Sequence, residues 1–100
     1  MNITGKQSSI LPLDSVAVIV ADCYFLESEI FVSQWKYDVT DFTASKYELL
    51  FEKHGLTKET FLQNMRFYFT HKKYSDIISK RIDVIVEQRV AALRDSLVLE

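Results

Sequence analysis

The sequence predicts an all-α domain: a small four-helix, mainly antiparallel bundle that ends in a long C-terminal helix. Three observations predict it. Only two Gly and one Pro occur in 100 residues, too few turn formers for the many corners of a sandwich or a barrel. Apolar residues recur at alternating spacings of three and four through most of the chain, the period of one helix face. The clearest corner, Gly55-Leu56-Thr57, joins the stop signal of one helix to the start signal of the next. One hundred residues make one domain, expected over 11–98, of a size that buries a core without staples.

Residues 1–10 are polar with a Gly and read as a flexible lead-in. Leu11-Pro12-Leu13-Asp14 is a helix start, with Pro expected at the first helical position and Asp14 in the first turn. The first helix is expected to reach Ser33. Val16, Ile19, Val20, Cys23, Leu26, Glu27 and Ile30 form its stripe, while Val18, Phe25 and Phe31 add apolar character on other sides. The β-branched run Val16–Val20 would also suit a strand, but the helical spacing continues well past it.

Gln34 to Thr40 loses the period and reads as a loop, with Trp35 and Tyr37 lying over the core as a lid. A second helix starts at Asp41 or at Ser45, where Ser45-Lys46-Tyr47-Glu48 fits a capping box. Its stripe is Tyr47, Leu50, Phe51 and His54. Gly55 should end it in the left-handed conformation, and Thr57 should cap the third helix. Leu56 is placed to touch Phe51 behind it and Phe61 ahead of it. The third helix offers Phe61, Leu62, Met65, Tyr68 and Phe69 on one face, with Gln63, Asn64 and Arg66 pointing away and Phe67 off the main face. A break is expected at Thr70–Lys73, because a continuous third-and-fourth helix would leave a large apolar face uncovered. The last helix, from about Lys73 to Leu97, buries Tyr74, Ile77, Ile78, Ile82, Ile85 and Val86, with Ala92 and Leu93 continuing the stripe more weakly. Its end projects and is a candidate contact for a homodimer. Leu99-Glu100 reads as a remnant of cloning and carries no fold argument.

Composition narrows the function classes. A net charge of −2 provides no broad electrostatic footprint for nucleic acid, so none is expected as a partner. The lone Cys23 makes neither an internal disulfide nor a cysteine-rich metal site. The apolar run 16–26 is short and interrupted by Asp22, so it does not span a bilayer. Asp22 and Glu27 lie ~140° apart around a helix axis, which turns a carboxylate pair away from a shared site; the simpler reading is that each lies at the edge of the buried face or is satisfied by a partner such as Tyr68, Arg81 or Lys80. His54 and His71 belong to no HExxH or Cys/His spacing. No catalytic residue, cofactor site or metal site is therefore assigned, and no enzyme is expected. Arg66, Lys72, Lys73, Lys80 and Arg81 are interleaved with acidic residues and read as a solvated face. The residues left over for a partner are Trp35, Tyr37, Phe67, His71, Lys72 and Lys73.

Two blocks carry a resemblance. Leu11-Pro12 followed by VIVADCYFLES (18–28) has an aliphatic pair, Ile19-Val20, then Asp22 and Leu26-Glu27-Ser28. The segment 47–85 has Gly55-Leu56-Thr57, Phe61, the aromatic pair Phe67-Tyr68, and a final helix from Tyr74. Together these resemble the bacterial domain of unknown function 4296 family over most of residues 11–88. The sequence departs from the pattern with Phe67 in place of a usual Tyr and with no Pro near His71–Lys73. The resemblance implies a short helical domain, usually exported and often a lipoprotein of the cell envelope, with no activity, cofactor or catalytic residue to carry over. The leading expectation is a non-enzymatic protein- or peptide-interaction module of such an envelope protein, meeting the membrane only through a lipid anchor outside this sequence. The alternatives are a small-molecule-binding helical domain with an internal aromatic pocket, a nucleic-acid-associated helical domain and, for location, the cytoplasm.

Overall fold

The computed structural model describes residues 10–35 and 40–98. Among them are four helices and no strand: α1 (Leu13–Ser33), α2 (Thr40–Lys53), α3 (Lys58–Phe69) and α4 (Lys72–Val98). Tyr37 and the expected segments 1–9 and 99–100 lie outside the described residues. Ile10, assigned above to the lead-in, is half-buried and packs against the core.

α1 is the helix the others pack around. Pro12 takes the N-cap rather than the first helical position (φ −59°, ψ 151°), and its carbonyl accepts from the Val16 N–H at 3.1 Å. The buried residues of α1 are Val16, Ala17, Ile19, Ala21, Leu26 and Ile30. Ile19, Leu26 and Ile30 pack with Leu50 of α2; Val16 and Ala17 pack with Tyr68 of α3 and with Ile78 and Ile82 of α4. Ala17 and Ala21, one turn apart and fully buried, are not in the expected stripe. Small side chains let a neighbouring helix approach closely, which large-residue spacing does not reveal. Glu27, by contrast, is exposed.

Ion pairs fix the helix directions. Asp22 meets Lys53, Glu29 meets Lys46, and Glu27 bonds Tyr47; position rises along α1 as it falls along α2, so these helices are antiparallel. Asp14 meets Arg81 and Asp22 meets Arg89, both across 67 positions. α1 and α4, which share the largest contact in the fold, therefore run parallel within the bundle.

The α2–α3 corner forms as its sequence predicts. Gly55 has φ +66°. The Leu56 N–H reaches the Phe51 carbonyl at 2.8 Å and the Gly55 N–H reaches that of Glu52 at 3.1 Å, a complete Schellman end. Leu56, Phe51 and Phe61 pack against one cluster. Thr57 Oγ1 accepts from the Thr60 N–H at 3.1 Å.

Several expectations are corrected. α2 begins at Thr40, so Ser45 lies inside it; in a helix already running, the N–H of residue 48 is claimed by the carbonyl four residues back and needs no cap. Leu62, Phe69 and Ile77 are exposed, because among the described residues no element covers their side of α3 or α4. Asn64 is not turned away but is 2% exposed. Its Oδ1 accepts from the Leu11 N–H and its Nδ2 donates to the Thr60 carbonyl, each at 2.8 Å. Tyr68 donates its hydroxyl to the Leu11 carbonyl at 2.5 Å. The entry to α1 is thus tied twice to α3.

α3 and α4 are separate, divided at Thr70-His71. Thr70 closes α3, its N–H reaching the Arg66 carbonyl at 3.2 Å, and the Ser75 N–H reaches the His71 carbonyl at 2.9 Å. α4 has 27 residues, roughly 40 Å at the helical rise. Ile78 and Ile82 are buried, whereas Ala92, Leu93 and Leu97 are exposed, Leu93 by 62% and Leu97 by 75%. The fold measures 54 × 31 × 22 Å. No described helix is long and apolar enough to cross a membrane.

Candidate functional site

Of the surface expected from sequence, only one part comes together. Phe67, His71, Lys72 and Lys73 gather at the α3–α4 corner. Phe67 is half-buried rather than projecting: it stacks on Tyr74 (5.4 Å, 21°) and stands edge-on to Tyr68 (5.0 Å). Its neighbour on the next turn, His71, donates from Nδ1 to the Phe67 carbonyl at 3.1 Å. Lys72 pairs with Asp76 at 3.2 Å, one turn on, and Lys73 is exposed. These aromatics knit the corner to the core cluster that holds Tyr68. Trp35 is elsewhere. It follows the far end of α1, while the corner is tied to the start of α1 through Leu11 and Tyr68; 21 helical residues separate the two by roughly 30 Å. Trp35 is no lid: it is 75% exposed and stands edge-on to Phe31.

Asp22 interrupts the apolar face of α1 and is the best-held charge of the fold. Its Oδ1 accepts from Arg89 Nη1 and its Oδ2 from His54 Nε2, each at 2.6 Å, with Lys53 Nζ at 3.5 Å. Burial alone would raise its pKa, but the hydrogen bonds from His54 and Arg89, with the charges of Arg89 and Lys53, outweigh burial and hold it below the usual value. Arg89 also lies over the Phe25 ring at 5.5 Å. One carboxylate thus joins α1, the end of α2 and α4. Its partners are His54, Lys53 and Arg89, not the Tyr68, Lys80 or Arg81 expected; Arg81 pairs with Asp14 instead. Among the described residues no three His, Cys, Asp or Glu side chains are placed to share a metal ion.

The feature best shaped to receive a partner was not singled out from sequence. An open groove of about 1300 Å³ runs beside α2 and α3, with Cys23 of α1 in its lining. Tyr47, Phe51 and Phe61 supply its aromatic wall, the last two with rings 4.9 Å apart. Leu49 and Leu62 are exposed at its lining, and Glu48, Glu52 and Lys58 add charge. The corner Gly55-Leu56-Thr57 sets the angle between its two helices, so the local signal that predicts the corner also predicts two aromatic-bearing helices side by side. What the sequence offers is Leu49, an apolar position outside the expected stripe of α2; Leu62 counts there with the apolar face of α3 and is exposed in the fold.

Two groups in the groove are electrostatically quiet. Burial, with the charges of Asp22 and Glu27, pushes the Cys23 thiol up to about 11, which disfavours the thiolate a nucleophile requires. Tyr47 donates its hydroxyl to Glu27 Oε2; burial first, and that bond second, raise its pKa.

Residues 8–91 match the family model described as Domain of unknown function (DUF4296). No curated protein and no solved structure matches the chain.

Proposed function

The chain belongs to the domain of unknown function 4296 family, and on that premise we propose that it is a non-enzymatic protein-interaction module, carried at the bacterial cell envelope as part of an exported lipoprotein. The observation that supports binding is the groove. It is open, and walled by Tyr47, Phe51, Phe61 and the exposed Leu49 and Leu62. Such a channel suits the apolar face of an amphipathic helix, laid in through anchors one turn apart. The acidic pair Glu48 and Glu52 on α2 favours a partner helix edged with basic residues. The envelope half of the proposal draws on the export that is usual in this family.

An open groove favours a peptide over a small molecule, which is usually enclosed on most of its surface. The test is photo-crosslinking in the native host from a probe residue at Ala44 or Lys58, both exposed in the groove lining. The expected result is one dominant adduct with an envelope protein, lost in a Leu49→Asp, Leu62→Asp double variant that keeps the native melting midpoint. An adduct unchanged in that variant would overturn the groove as the binding site.

A further inference from the structure

The exposed end of α4 is a second apolar surface, distinct from the groove. Val86, Val90, Leu93 and Leu97 follow one another at spacings of four, three and four, the seam of a two-helix coil. Val86 packs partly against the core, while Val90, Leu93 and Leu97 are exposed. The rotation of α4 is set by Arg89, held by Asp22 at 2.6 Å and by the Phe25 ring. With Arg89 turned to α1, the seam beside it is left at the surface.

The charges beside the seam select its occupant. Glu87 and Arg94 flank it on the side away from Arg89, and neither has an ion-pair partner among the described residues. We propose that this seam is covered by the same seam of a second copy of the chain, running antiparallel. In that arrangement Val90 of each copy faces Leu93 of the other, and Val86 faces Leu97. The two-fold axis then brings Glu87 of each copy to Arg94 of the other, so one contact satisfies all four charges. A parallel pair would set Arg94 of one copy beside Arg89 of the other, already held by Asp22, and would bring neither Glu87 nor Arg94 a partner of opposite charge. The apolar spacing allows both orientations; the charges favour only the antiparallel one.

Sedimentation of the full chain across a wide concentration range tests this. A concentration-dependent monomer–dimer equilibrium is expected, abolished by Leu93→Asp with Leu97→Asp, both exposed positions whose change leaves the melting midpoint of the monomer in place. Glu87→Arg or Arg94→Glu alone sets like charges together twice per dimer and should weaken the dimer by about tenfold or more. The double variant Glu87→Arg, Arg94→Glu should restore it. A monomer at every concentration overturns the proposal, as does a double variant no tighter than the single ones. So does a second protein that occupies the seam while the chain itself stays monomeric.

Discussion

Arg89 of α4 reaches Asp22 of α1 at 2.6 Å, across 67 positions of sequence, and Arg81 reaches Asp14 across the same separation. The repeated offset means that the first and last helices lie side by side in parallel. Asp22 is the more consequential of the two carboxylates. It is largely sequestered and takes a second short bond from His54 at the end of α2, whereas the Asp14–Arg81 pair is exposed, and exposed pairs contribute little.

Replacing Asp22 with Asn should therefore cost stability out of proportion to its size. The change keeps the shape but leaves Arg89 and His54 facing a neutral amide, which cannot match two charge-assisted bonds. We expect a loss of about 2 kcal/mol, read as a lower denaturant midpoint with an unchanged slope. Asp14→Asn, its exposed counterpart, should fall within about 0.5 kcal/mol of the parent. Equal effects at the two sites would refute the assignment of Asp22 as the tie between helices.

The same carboxylate has a pH signature. Its pKa in the fold is lowered from 3.8, so the folded state binds a proton less readily than the unfolded chain. The stability from this group is fully present above the unfolded value and is lost as pH falls through the folded one. The gap between the parent and Asp22→Asn should then be constant near neutrality and shrink below about pH 4. Denaturant melts from neutral to acid pH would show it; a gap that widens toward acid would contradict the sign.

Gly55 offers a measurement of backbone cost with little else mixed in. Its φ is +66°, and a Cβ added there would meet nothing within 4 Å. Gly55→Ala therefore introduces left-handed strain without a clash, about 1 kcal/mol. In a domain of this size that lowers the melting midpoint by roughly 4–8 °C. Gly55→Asn should lose less, since Asn tolerates the left-handed region better. If Ala and Asn cost the same, the conformational explanation fails.

These sites also show what was legible in the sequence. The Gly55-Leu56-Thr57 corner was, because its chemistry is local: terminator, clasp and cap fall within three residues. The four helices were legible from period and end signals, and the break at Thr70-His71 from the large apolar face that a continuous helix would leave uncovered. The parallel pairing of α1 with α4 was not, since it depends on which partner Asp22 finds 67 positions away. Nor were the buried alanines, because Ala17 and Ala21 mark a close crossing only once the crossing helix is known. Conspicuous aromatics point to a partner surface, yet Phe67 turns inward to Tyr74 and Trp35 stands at the other end of the molecule. The groove instead uses Leu49 and Leu62, which no helix covers among the described residues.

Cys23 should be protected in the native state. Its thiol is half-buried and pushed up to about 11 from 9.0, so the reactive thiolate is on the order of a hundredfold scarcer than in the unfolded chain near neutral pH. Alkylation followed by mass shift should be slow in buffer and fast in denaturant. A native rate close to the denatured one would place Cys23 outside the apolar lining in which it lies. Because Cys23 lines the groove, occupation by a helical partner should slow native alkylation further, which gives the proposed binding a readout independent of crosslinking.

Asn64 tests how the chain is led into α1. Its amide accepts from the Leu11 N–H and donates to the Thr60 carbonyl, both at 2.8 Å, at a position only 2% exposed. Its spacing of three from Phe61 and four from Tyr68 places it on the buried face of α3; polarity alone suggested otherwise. Asn64→Leu supplies an apolar side chain of the same branched shape, though bulkier, and strands the Leu11 N–H, and should cost about 2 kcal/mol or more. Asn64→Asp keeps the acceptor for Leu11 and loses the donor to Thr60, placing a carboxylate against a carbonyl. Its cost should therefore exceed that of Asn64→Leu at neutral pH and diminish toward acid, as the protonated side chain regains a donor. Hydrogen exchange at the Leu11 amide provides the local check. Exchange there should accelerate in Asn64→Leu while amides in the middle of α4 keep their protection relative to global stability. Uniform acceleration throughout would mean that Asn64 acts by general packing and not by holding this entry segment.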